Sequence, residues 1–276
     1  MRIPAAILTL IAGMALVLAG LWVGQNVNLL PLDASANAPI YDELFQVLFS
    51  IGTILFVGIV GLIVYSLVRF RRRPGDQSDG EAIEGNLPLE ILWTAIPAIV
   101  VLFVGIYSYD IYDRMGGMAP LNDHSMHSMA AEERTWGGIS PVSLDSESGA
   151  TPLSVDVTAM QFAFIFHYPD AEITSGELHV PAGQPIALHM EANDVIHAFW
   201  VPQFRLKQDV IPGQPTLLSF TATKPGRYPI VCAELCGPYH GGMRSTVIVD
   251  EPATFEAWVS QNSPIAAANN VTPVQS

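Results

Sequence analysis

Residues 44–73 read LFQVLFSIGTILFVGIVGLIVYSLVRFRRR, and this stretch decides the first half of the fold. Its first 25 residues carry no charge and only Gln46, Ser50, Thr53 and Ser66 as polar members. As an α-helix at about 1.5 Å per residue they reach roughly 37 Å, more than a hydrocarbon core of about 30 Å, so the segment spans with room for tilt. Arg69, Arg71, Arg72 and Arg73 follow at once, and arginines at the end of a span mark its cytoplasmic side. Residues 87–109 return through the bilayer with Trp93 near one interface and Tyr107 and Tyr109 near the other. The prediction is a two-helix transmembrane hairpin over 41–112, with everything after Tyr112 outside the cytoplasm.

Composition agrees. Half of the 276 residues are hydrophobic and only 14% are charged, against about 25% charged in ordinary soluble domains. Twelve Lys+Arg against 26 Asp+Glu leave a net charge of −14, the wrong sign for neutralising phosphates, which excludes nucleic acid as the main partner. Seventeen of the acids lie in 111–276, on the outer side. Two cysteines, Cys232 and Cys236, make no disulfide framework.

Residues 3–23 form an uncharged apolar run behind Met1 and Arg2. A signal core usually has about 7–15 residues and a span about 20, so the length favours spanning. Ala34-Ser35-Ala36 nevertheless offers a small-residue cleavage site, and residues 1–36 read as a signal peptide or an N-terminal anchor. Residues 113–152, rich in Gly, Pro and Ser, read as a flexible linker. Within it, His124-Ser125-Met126-His127-Ser128-Met129 sets thioethers beside imidazoles, a combination that suits Cu(I), although chance composition in a polar segment accounts for it too.

From Leu153 the period changes to two. Segments 154–158, 162–168, 177–180, 186–190, 195–201, 217–221, 228–231 and 245–249 are rich in β-branched and aromatic residues, with Gly and Pro turns between them. Short strands without a long helix between them predict an antiparallel sandwich or barrel over 153–262, closed by a short helix at 252–260, and a disordered tail at 263–276. The chemistry gathers in Cys232-Ala233-Glu234-Leu235-Cys236-Gly237-Pro238-Tyr239-His240-Gly241-Gly242-Met243, between two strands. Two thiols, an imidazole and a thioether select copper or another soft metal. A disulfide leaves His240 and Met243 unexplained, zinc rarely takes Met, and a mononuclear blue-copper site leaves one cysteine over. Two cysteines can bridge two coppers, which requires a further histidine; His197, in Asn193-Asp194-Val195-Ile196-His197, is the candidate.

With that segment and the Cys-x-Glu-x-Cys-x-x-x-His-x-x-Met loop, the chain resembles subunit II of the haem–copper cytochrome c oxidases from about Tyr41 to Trp258. Gln161-Phe162-Ala163-Phe164 and residues 201–209 look most like its cyanobacterial branch. The resemblance implies a cupredoxin-like Greek-key sandwich behind the membrane hairpin, carrying the dinuclear CuA centre. Cys232 and Cys236 would bridge both coppers; His197 and Met243 would complete one, and His240 with the Glu234 main-chain carbonyl the other. The Glu234 carboxylate would help hold Mg²⁺ at the interface with subunit I. Glu90, in Leu89-Glu90-Ile91-Leu92-Trp93, matches the glutamate at a proton channel's cytoplasmic mouth; an interfacial carboxylate is the plainer alternative.

The family commonly has Trp where Phe162 stands, which makes Phe162 the expected apolar centre of electron uptake, with Asp170, Glu172 and Asp194 as parts of its acidic rim. The implied function is acceptance of electrons from a soluble c-type cytochrome or plastocyanin and their delivery to haem centres in subunit I, where O₂ is reduced to water as protons are pumped. Subunits I and III would be partners, the haems would lie only in a partner subunit, and no catalytic residue would belong to this chain. The site would be a bacterial plasma membrane or thylakoid membrane. The competing readings are a membrane-tethered copper carrier, nitrous oxide reductase, which needs a large further domain, and a quinol-oxidase subunit II, which lacks this ligand set.

Overall fold

The computed structural model describes residues 4–72, 74–75, 79–80, 85–115 and 152–264. Most of the linker at 113–152, with its His124–Met129 segment, and nearly all of the tail at 263–276 lie outside the described residues. Among the described residues three helices are long and apolar enough to cross a membrane: α1 (Ala5–Asn26), α2 (Ala38–Arg69) and α3 (Leu87–Arg114). All three expected apolar runs are helical, and α2 and α3 outrun them because the helix continues into the polar flanks Tyr41-Asp42-Glu43 and Asp110–Arg114, which hydropathy alone does not count. Pro97 sits inside α3, where a membrane helix tolerates it better than a soluble one. The chain divides into two compact units, Met1–Leu29 with Asp42–Asp110, and Leu30–Tyr41 with Ile111–Ser276.

The described residues of the second unit form a β-sandwich of ten strands: β1 (Leu153–Met160), β2 (Ala163–Tyr168), β3 (Ile173–Ser175), β4 (Leu178–Pro181), β5 (Pro185–Ala192), β6 (His197–Val201), β7 (Leu206–Val210), β8 (Thr216–Thr221), β9 (Gly226–Cys232) and β10 (Arg244–Asp250). One sheet has the order β3-β2-β1-β5-β8 and the other β4-β10-β9-β6-β7. The eight expected strands are present, and two were missed. β3 has three residues, too few for a period to show, and β7 reads Leu-Lys-Gln-Asp-Val, apolar only at its ends. The pairing is not purely antiparallel: β1 runs parallel to β5 and β10 parallel to β4. Alternation within strands cannot distinguish the two directions.

β1 turns alternate residues inward, with Val155, Val157 and Ala159 buried and Asp156 outside, whereas β6, β8 and β10 each bury three residues in a row. Phe164 of β2 meets Phe199 of β6 edge to face across the sheets, ring centroids 5.8 Å apart. At one end of the sandwich the closing helix α4 (Pro252–Asn262) lays Trp258 flat on His179 at 4.2 Å, and His179 Nδ1 pairs with Asp250 at 3.0 Å. There Tyr168 Oη accepts the His179 N–H and donates to its carbonyl. At the opposite end β1 and β9 finish and β6 and β10 begin, so the two sheets hold a rim of loops.

Candidate metal centre

The cysteine loop starts where β9 ends. The Cys232 N–H donates to the Met243 carbonyl at 3.1 Å and the Ala233 N–H to the Ala198 carbonyl at 3.1 Å, so the loop is tied both to itself and to β6. Tight turns at Gly237–His240 and His240–Met243 fold Cys236, His240 and Met243 back over Cys232. Register supplies the histidine: β6 pairs with β9 through Phe199↔Cys232, which brings His197, at the start of β6, over the first cysteine.

The sulfur and imidazole atoms converge. Cys232 Sγ lies 3.8 Å from Cys236 Sγ and 3.8 Å from His197 Nδ1. Cys236 Sγ lies 3.6 Å from His240 Nδ1 and 3.8 Å from Met243 Sδ. The Glu234 carbonyl oxygen is 3.3 Å from Cys232 Sγ. His197 and Met243 are wholly buried and the cysteines nearly so. Thiolate–metal bonds are about 2.3 Å, so two sulfurs at this separation can share a metal, and no disulfide joins them. Burial, and then hydrogen bonding and charge from Cys232, push the Cys236 thiol up to about 11; the site is built for a metal that draws off these protons. The donor set of soft sulfur with imidazole suits copper.

Asp194 has a place that its sequence reading did not give it. Its Oδ1 lies 2.8 Å from His197 Nε2 and accepts the Val195 N–H, while Oδ2 accepts the Gln161 N–H at 2.7 Å. Partial burial acts to raise the carboxyl, but the bonds from His197, Gln161 and Val195 outweigh it and hold Asp194 below the usual carboxylate range. A carboxylate on Nε2 leaves Nδ1 as the lone pair facing the sulfurs. The spacing Asp-x-x-His was the available signal.

Phe162 packs beside the loop, edge to face with Tyr239 at 5.4 Å between centroids, and Tyr239 is 72% exposed. Tyr239 adjoins His240 in the chain and was not singled out from sequence. Gln161 Nε2 donates to the Cys236 carbonyl at 2.6 Å. The expected acidic rim does not hold together. Asp170 and Glu172 follow the far end of β2, so the length of that strand, roughly 20 Å for six residues at about 3.3 Å each, separates them from Phe162. The Glu234 side chain is exposed. Glu90 stands in the first turn of α3, where its Oε1 accepts the Asn86 N–H at 3.2 Å and Asn86 Oδ1 accepts the Leu89 N–H at 3.2 Å, a reciprocal helix cap.

A membrane-anchored β-sandwich with a cluster of two buried thiols, a buried and a half-buried imidazole and a buried thioether defines a copper-binding electron-transfer subunit. Residues 20–111 match the transmembrane domain of cytochrome c oxidase subunit II and residues 167–250 its periplasmic domain. The chain is 50% identical to cytochrome c oxidase subunit 2 of Thermostichus vulcanus, over 97% of this chain and 88% of that protein. It is 47% identical to the subunit 2 of Synechocystis sp., over 96% and 85%. Among solved structures it is similar to the periplasmic domain of subunit II of cytochrome oxidase from Bradyrhizobium japonicum, at 31% identity and a TM-score of 0.38 over 40% of this chain and 92% of that one. The chain belongs to the cytochrome c oxidase subunit II family. It is therefore a subunit of an oxidoreductase, with its C-terminal domain outside the cytoplasm, and its family carries a CuA copper site.

Proposed function

We propose that residues 193–243 accept electrons one at a time from a soluble carrier and pass them to haem centres in subunit I. The observation that carries this reading is the convergence of Cys232, Cys236, His197, His240 and Met243 within 3.6–3.8 Å contacts at one end of a rigid sandwich. Cys232 and Cys236 would bridge two coppers, with His197 and Met243 on one and His240 and the Glu234 carbonyl on the other. A dinuclear copper centre bound there supplies one-electron storage shared between two metals. The protein's part is to hold the ligands still: strand-anchored side chains change little with charge, and Asp194 fixes the His197 ring.

Phe162 and Tyr239 form the apolar contact for the donor, a c-type cytochrome or plastocyanin, with Asp194 at its edge. The Glu234 carboxylate, exposed on the same loop, would bind Mg²⁺ shared with subunit I. Glu90 admits protons from the cytoplasmic side. Subunit III completes the assembly, and the bacterial plasma membrane or the thylakoid membrane houses it; the three long apolar helices among the described residues support a membrane site. Metal analysis and electron paramagnetic resonance of the purified oxidase test the reading. Two coppers in this subunit with a mixed-valence signal are expected; a single copper without that signal would favour a tethered copper carrier.

A further inference from the structure

The segment that sequence leaves open between cleaved signal and retained anchor is built into both units. Within the first unit α1 lies against α2. A Cβ added at Gly24 would collide with Ser50 Oγ and stand 2.8 Å from the Gln46 carbonyl oxygen. At Gly20 it would strike the Ile54 side chain and lie 3.3 Å from the Ser50 carbonyl oxygen, and a Cβ on Gly58 would lie 3.2 Å from Leu16 Cδ2. Leu16, Gly20 and Gly24 thus meet Gly58, Ile54 and Ser50 in reverse order. Spacings of four on both helices, with glycines at the closest approach, form an antiparallel seam of the small-residue kind that packs membrane helices. Leu10, Met14, Leu18 and Trp22 remain exposed on α1, as lipid-facing residues are.

Within the second unit, residues 31–38 run along the sandwich. Ser35 bridges to Ala222, the Ala34 N–H donates to the Gln203 carbonyl at 2.9 Å, and the Ala36 N–H donates to the Thr221 carbonyl at 3.0 Å. Ser35 Oγ donates to the Phe204 carbonyl at 2.8 Å, Arg205 donates to the Pro31 carbonyl at 2.7 Å, and Lys224 pairs with Asp33. Ala34 and Ala38 are fully buried. A cut after Ala36 would discard all of these bonds. Sequence gives a third observation: the antiparallel seam sets the N-terminal end of α1 on the same side as the C-terminal end of α2, and in sequence Arg2 precedes the one while Arg69, Arg71, Arg72 and Arg73 end or follow the other. These are all five bases of residues 1–110, and one side for all of them satisfies the positive-inside rule.

We propose that α1 and the 31–38 strap remain in the mature subunit, α1 as a third membrane span seated on α2 through Gly20 and Gly24, with its N-terminus in the cytoplasm. The proposal stands apart from the copper reading. N-terminal sequencing of the subunit, purified with the oxidase through a C-terminal tag, should give a start ahead of Ala5; a start at Asn37, or anywhere beyond Ala5, overturns it. The seat is tested by Gly20→Val with Gly24→Val in the full chain, set against Gly13→Val, because a Cβ at Gly13 meets nothing within 4 Å. The pair should lower the melting temperature of the purified oxidase and its yield in membranes, while Gly13→Val should leave both at wild type. Equal behaviour of the pair and the control overturns the docking of α1 on α2.

Discussion

In the proposed bridging arrangement Cys232 and Cys236 would differ from the other ligands in being needed twice. If each sulfur serves two metals, Cys232→Ser removes a ligand from both, and the purified oxidase should keep at most one copper in this subunit and lose oxidation of its donor; a retained two-copper spectrum refutes the bridging assignment. Met243→Leu removes only a weak thioether and keeps the volume, so both coppers should stay while the reduction potential shifts. Asp194→Ala frees the His197 ring, and loss of such a partner typically weakens metal binding about 10–100-fold, readable by chelator competition. Glu90→Ala separates two jobs: proton uptake predicts slowed turnover with normal reduction of copper by the donor, whereas a helix cap alone predicts altered stability and unchanged turnover. Four of these donors were legible as a cluster because they crowd into twelve residues. His197 lies 35 positions before Cys232, and only the β6–β9 register brings it there. Asp194 reads as one more surface acid because nothing in its neighbours shows that Val195 and Ile196 lie outside the strand.

At the scale of elements, the loop is stiff because three strands and a glycine hold it. Gly237 has φ of +133°, and a Cβ there would stand 2.9 Å from Gln161 Nε2 and 3.3 Å from the Phe162 ring. Gly237→Ala is therefore strained twice, in its backbone and against the β1–β2 turn, and should displace Gln161 from the Cys236 carbonyl. The expected outcome is a lower melting temperature together with a broadened copper signal; an unchanged signal would mean that the loop holds its shape without the Gln161 bond. Helices α2 and α3 were legible as long uncharged apolar runs, and most strands by their period of two. The parallel pairing of β1 with β5 and of β10 with β4 was not, since strand direction is decided by what lies between paired segments and not by alternation within them. The segment at Ala34-Ser35-Ala36 shows the same limit. Small residues suit a cleavage site and a buried edge equally well, and nothing in the sequence around them shows the pairing of Ser35 with Ala222.

Across the whole molecule, a net charge of −14 sets a long-range field that would draw in a basic carrier of the proposed kind, while contact would be decided locally. The two ranges can be separated by salt. Asp170 and Glu172 stand roughly 20 Å along β2 from Phe162, beyond a Debye length of about 10 Å at 0.1 M salt but within the 30 Å of about 0.01 M. Asp170→Asn with Glu172→Gln should then slow association of a reduced carrier only near the lower salt concentration and leave it at wild type near the higher one. Phe162→Ala opens a gap against Tyr239 and Gly237, so it should slow electron transfer at every ionic strength, and Tyr239→Ala should do the same if the exposed ring is the point of contact. Stopped-flow oxidation of a reduced small cytochrome or plastocyanin by the assembled oxidase measures both. If neither aromatic variant alters the rate at any salt concentration, electrons reach the copper ligands by another face of the sandwich, and the packed pair at the loop is structural.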